Sequence, residues 1–256
     1  MNNWTDTFFY SVISAALVLS VVGLWFTSAM PGIDRWSKRF FQVYFIVLMA
    51  CCFSSVADMY LSVHSASQAA FKFAVVAECL FLSLPMPMLT IYLLHCCGEN
   101  IRASWLLRSV AGLWAAYLIL LVGSVFIDAF TYVAQDDVYY RGPLYPLLLL
   151  PMVMILLLNL AWTIRRRKRL THKVFLSFLI AILPMTVTLF LQMFLEVLPL
   201  FDISFVLAAM VMYGLILSDQ IEQDLRSQRE IARQQQEIAH QRASIMVLQM
   251  RPHFIY

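Results

Sequence analysis

Charge is what this 256-residue chain has least of: Lys, Arg, Asp and Glu together make up 13% of it, against a hydrophobic share of 62% and a mean hydropathy of +0.77. Soluble domains carry about 25% charged residues, so a water-soluble globular fold is excluded and a membrane protein is indicated. Glycine is scarce as well, with 7 in all and none beyond Gly214, so no glycine-rich loop able to cradle phosphates stands in the last part of the chain. The 5 cysteines (Cys51, Cys52, Cys79, Cys96, Cys97) lie in or beside apolar runs, without metal-ligand spacing or a loop pair for a disulfide framework; they read as small packing residues. No Lys or Arg precedes the first apolar run and no small-residue cleavage site follows it, which argues against a signal peptide.

What is present is a series of apolar runs long enough to cross a membrane. A span needs roughly 20 apolar residues, and a helix satisfies its own backbone there. Seven stretches qualify: Phe8 to Ala29, Phe40 to Val63, Phe71 to Cys96, Trp105 to Ile127, Leu144 to Ile164, Val174 to Leu198 and Phe201 to Leu217. One alternating set of loops holds 11 basic residues (Arg35, Lys38, Arg39, Arg102, Arg108, the run Arg165 to Arg169, and Lys173), whereas the other holds only Lys72 and Arg141. The positive-inside rule then puts the amino terminus outside and the carboxyl terminus in the cytoplasm. The run RRRKR at Arg165 to Arg169 reads as a topology anchor on anionic lipid, and no nucleic-acid partner is expected. The seventh span has no lysine for a retinal Schiff base, and the ends of spans three and seven, LLHCCGEN and VMYGLILSD, lack the signatures of G-protein-coupled receptors. A seven-span count is a topology and not a function.

From Asp219 the chain reads DQIEQDLRSQREIARQQQEIAHQRASIMVLQM, free of Gly and Pro and rich in good helix formers, so one helix is expected to run on from span seven. Ile231, Ile238 and Ile245 recur every seven residues, with Leu248 following, and a narrow stripe of this kind suits a parallel two-helix coiled coil. Gln234 and Gln241 make its facing positions half polar, and Glu237 and Arg242 flank it where a pair between chains can form. A marginal seam of this kind suits an element that changes register on a signal. His240 lies on the polar side and reads as solvated.

The chain ends on Leu248-Gln-Met-Arg-Pro-His-Phe-Ile-Tyr256. Pro252 has no N–H, so a helix passing through it loses the bond to the Leu248 carbonyl. His253 follows at once, and a neutral imidazole nitrogen near pH 7 is a competent nucleophile. This box resembles the phosphoacceptor segment of bacterial sensor histidine kinases of the LytS/YehU type, a Pro-His-Phe-x-Tyr core after a Gln-containing helix. The resemblance covers about nine residues and implies that His253 is the phosphorylated residue, Pro252 a kink, and Phe254 and Tyr256 parts of a dimerisation helix. It also implies a homodimer in the bacterial cell membrane, ATP and Mg²⁺ bound by a kinase domain these residues do not contain, and phosphotransfer to a response regulator. The chain is accordingly read as the sensor and linker of a longer kinase, inactive by itself.

Ionisable groups in hydrocarbon cost a few kcal/mol and mark function by default. Asp58 falls about one turn inside the outer end of span two, Glu78 about two turns inside span three, and Gln192 and Glu196 one turn apart in the outer third of span six. Asp128 and Asp202 are placed at the outer rim. No Lys or Arg lies deep in the spans to neutralise them, so Asp58, Glu78, Gln192 and Glu196 are ligand-binding candidates for a cationic small molecule or peptide. Proton sensing and hydrogen bonding between helices are the other readings. Pro85, Pro87, Pro146, Pro151 and Pro184 lie where spans three, five and six can kink.

The expected architecture is an all-α membrane protein: a seven-transmembrane-helix bundle followed by a long cytosolic helix forming a dimeric coiled coil. Residues 1–218 form the sensor domain, 219–247 the signalling helix, and 248–256 the start of the phosphoacceptor domain. The rival function is a transporter or a non-catalytic receptor whose cytosolic helix only oligomerises it.

Overall fold

A computed structural model describes residues 3–30, 34–63, 68–127, 131–133, 139–194 and 198–250. Its helices are α1 (Asn3–Ala29), α2 (Arg35–Val63), α3 (Gln68–Ser83), α4 (Pro85–Cys96), α5 (Trp105–Ser124), α6 (Tyr145–Arg165), α7 (His172–Gln192) and α8 (Leu198–Met250). Seven spans, with α3 and α4 acting as one, are long and apolar enough to cross a membrane. The protein is a multi-pass helical membrane protein. Its only strands among the described residues are the ribbon β1 (Thr131–Val133) and β2 (Tyr139–Arg141), paired antiparallel with Tyr132 opposite Tyr140. β-branched and aromatic residues favour that ribbon, a small departure from the all-α expectation.

The spans close into a ring in chain order, α8 returning to pack on α1, while α2 also touches α4 and α8 across the interior. Helix α1 joins through a stripe of mostly small residues: Ile13, Ala16, Ser20 and Thr27 are buried, and Gly23 lies against the Phe45 ring of α2. Small residues at this spacing let helix backbones approach where lipid supplies no hydrophobic drive. Ser20 and Thr27 return their hydroxyls to the carbonyls of Ala16 and Gly23, which keeps the stripe free of unpaired donors.

The interior is aromatic towards the end of the bundle that carries Arg35 and Arg165–Arg169, here called the basic end. Tyr92 of α4 packs on Phe40 (4.5 Å between ring centres) and Phe41 (5.1 Å) of α2 and on Phe178 of α7 (6.1 Å). Phe41 in turn meets Tyr213 of α8 at 5.1 Å. Four helices therefore share one slab of rings, whose edge contacts add to the area they bury.

Two boundaries depart from expectation. Span three breaks at Leu84, because Pro85 and Pro87 supply no amide hydrogens to the preceding turn. The neighbouring helix covers the break: Tyr117 donates to the Cys79 carbonyl at 3.1 Å and Trp114 to the Ser83 hydroxyl at 3.0 Å. Pro151 and Pro184 sit inside unbroken helices, whereas Pro146 lies in the first turn of α6. Span six ends at Gln192 rather than Leu198, and Leu198 opens α8. Pro199, in the first turn, is where a proline starts a helix without losing a bond.

Helix α8 runs 53 residues without interruption, so the expectation of one helix continuing from span seven holds. Ile231, Ile238 and Ile245 are each about half exposed in this single chain. Glu237 pairs with Arg233 on its own helix at 3.2 Å, and His240 is exposed as expected.

Candidate functional site

Three acids from three helices converge near the end of the bundle opposite the basic one. Asp58 is on α2, Glu78 on α3 and Asp202 on α8, and each lies within electrostatic range of Glu78 or is Glu78 itself. Glu78 is 3% exposed and Asp202 2%, whereas Asp58 is half-buried. Ser55, one turn from Asp58 on α2, donates to Asp202 Oδ2 at 2.7 Å, and the Glu78 carboxyl lies beside the same hydroxyl. The thiols of Cys51 and Cys52 line the α2 side of the cluster. No Lys, Arg or His acts on Glu78 or Asp202 among the described residues.

Asp58 and Glu78, both singled out in the sequence, thus come together in one place. Asp202, expected at the outer rim from the sequence, is instead buried and faces α2. The displacement follows from the start of α8 at Leu198, a turn earlier than the hydrophobic run suggests, which carries Asp202 inside the bundle. Gln192 is buried at the end of α7. Glu196, Asp128 and the box Pro252, His253, Phe254 and Tyr256 lie outside the described residues.

At the basic end a second polar set fastens α8 to its neighbours. Thr171 caps α7 by accepting from the Val174 amide and donates its hydroxyl to Asp219 Oδ2 at 2.9 Å. Lys173 reaches Ser218 at 3.0 Å and Glu222 at 2.7 Å. Hydrogen bonds from Lys173 and Arg226 hold the Glu222 carboxyl below its ordinary range. Glu99 is clasped by Arg166 (2.7 Å) and Arg169 (3.3 Å), so part of the basic run serves an internal ion pair. Helix α8 is thus held by polar groups at both ends of its buried length.

The Ser55–Asp202 bond has a measurable weight. Ser55→Ala leaves a buried carboxylate oxygen without its donor, which costs about 1–3 kcal/mol. Thermal unfolding in detergent should show that loss for Ser55→Ala and a smaller one for Ser55→Thr, which keeps the hydroxyl. Equal losses for the two would assign the effect to packing instead.

No family model matches this chain, and no curated protein or solved structure resembles it significantly.

Proposed function

We propose that this chain is the sensor and transmitter of a two-component histidine kinase in a bacterial cell membrane. The observation that supports the reading is the continuity of α8, which begins at the acid cluster and runs, with no break, to the isoleucine stripe that precedes the phosphoacceptor-like box. On this reading the amino terminus is outside, the stripe pairs with that of a second copy, and a signal at the far end of the bundle reaches His253 through one rod. Asp58, Glu78 and Asp202 would receive a cationic ligand or a proton.

On the same reading ATP and Mg²⁺ bind a separate module, as the resemblance of the box implies; that module phosphorylates His253, and from His253 the group passes to an aspartate of a response regulator. The test joins residue 256 to the ATP-binding module of a sensor kinase of this type and supplies radiolabelled ATP in membranes. An acid-labile, base-stable label is expected on His253, none in His253→Gln, and none on the 256 residues alone. Label persisting in His253→Gln would refute the assignment.

A further inference from the structure

Helices α2 and α8 run antiparallel and meet through polar contacts at two levels. Near the acid cluster Ser55 donates to Asp202 Oδ2 at 2.7 Å; near the basic end Gln220 Nε2 donates to Ser37 Oγ at 3.5 Å. The spacing is the same on both helices, 18 residues from Ser37 to Ser55 and 18 from Asp202 to Gln220. Eighteen residues are about five whole helical turns, so both partners on each helix point the same way, roughly 27 Å apart. That length is close to the roughly 30 Å of hydrocarbon in a bilayer, which puts one contact near each face. Between them the interface carries rings, with Phe41 and Phe45 packed on Tyr213 at 5.1 and 6.2 Å.

We propose that Ser55–Asp202 and Ser37–Gln220 are the two rungs of a register lock between spans two and seven, and that signalling moves α8 by releasing both rungs together. Because α8 is one rod, a slide of a single turn, about 5.4 Å, breaks both rungs at once and leaves no half-released state. The rungs are unequal. The Asp202 rung is short and buried, while Gln220 meets Ser37 at the limit of hydrogen bonding, shares that oxygen with Tyr92 at 3.3 Å, and keeps a buried Oε1 with no protein partner. Register is therefore set mainly at the acid cluster.

That is also where a signal has purchase. The Ser55 hydroxyl has one proton to donate, and the Glu78 carboxyl of α3 lies beside it in competition with Asp202. The groups facing Glu78 are Asp58, Cys51 and Ser55 from α2, Asp202 from α8 and Tyr117 from α5. A change at this cluster that draws the Ser55 proton towards α3 takes it from α8. The lock rests on the fold alone, and its use in signalling rests on the sensor reading above.

The test needs no phosphorylation, so its failure and that of the kinase reading are separable. Cys51 and Val206 each lie four residues from the Ser55–Asp202 rung towards the basic end, which places them opposite one another. In full-length protein keeping only Cys51 of its native cysteines, oxidative crosslinking to Val206→Cys should exceed that to Met210→Cys, one turn further along. In Ser37→Ala/Ser55→Ala the preferred position should move by a turn to 210, and Ser37→Thr/Ser55→Thr should restore 206. Should the double alanine variant not fold, Ser55→Ala alone, which removes the stronger rung, should give crosslinks at both positions. A folded variant that still crosslinks only at 206 would overturn the lock, because a merely structural bond lowers stability without moving the register.

Discussion

Asn159→Asp should lower the unfolding temperature of the detergent-solubilised protein more than other single-atom exchanges in the bundle interior. Asn159 of α6 is fully buried, and neither its amide nitrogen nor its oxygen meets a protein partner among the described residues. Exchanging the amide for a carboxylate puts an uncompensated charge there, which costs about 3–5 kcal/mol. For a chain of this size that is roughly 6–20 °C. Arg166, two turns on and just past the end of α6, is no remedy, because Glu99 already holds it. Asn159→Ala removes the amide altogether and should stay within about 1 kcal/mol of the parent, since the loss of an unpaired polar group offsets the loss of contacts. Thermal unfolding of the two variants side by side decides the matter: a larger loss for Asn159→Ala than for the isosteric Asn159→Asp would mean that volume, and not polarity, governs the site.

A large effect of another origin is expected at Gly23, where α1 meets α2. A Cβ at this position would stand 2.4 Å from Phe45 Cε1 and 2.5 Å from Cζ. The ring cannot simply swing away: Phe45 is fully buried and is flanked by Phe41 and Tyr213. Gly23→Ala should therefore destabilise by about 1–3 kcal/mol, the usual cost of overpacking, and Gly23→Val by more. Pairing Gly23→Val with Phe45→Ala should recover part of the loss, as expected for residues in contact. Additive losses in the double variant would place the strain elsewhere.

The parts of this architecture that were legible in the sequence are those governed by local rules. Seven apolar runs were readable because a helix must be long enough to span hydrocarbon, and six of them differ from the observed spans mainly at the ends. The run of α8 past the membrane was readable because nothing after Gly214 interrupts a helix before Pro252. Asp58 and Glu78 stood out because ionisable residues are rare in such segments. What stayed hidden depends on partners distant in the chain. Ser55 and Asp202 are 147 residues apart, and nothing local marks a serine as the donor to a buried acid. The same holds for the clamp of Thr171 and Lys173 on α8, and for Gly23, whose lack of a side chain acquires meaning only against Phe45. The break at Leu84 was visible as two prolines, but whether they bend a helix or divide it depends on the packing around it, here the hydrogen bonds of Trp114 and Tyr117 to Ser83 and Cys79.

In the proposed mechanism the exposed isoleucine stripe of α8 meets the same stripe of a second copy, so that one rod joins the bundle to a dimer seam. Single cysteines placed in turn at positions 227 to 246, in protein otherwise free of cysteine and oxidised in native membranes, test this directly. Disulfide-linked dimers are expected with maxima at 231, 238 and 245, each a heptad from the next, and minima on the opposite face. Crosslinking that is absent throughout, or that shows no seven-residue period, would contradict that mechanism.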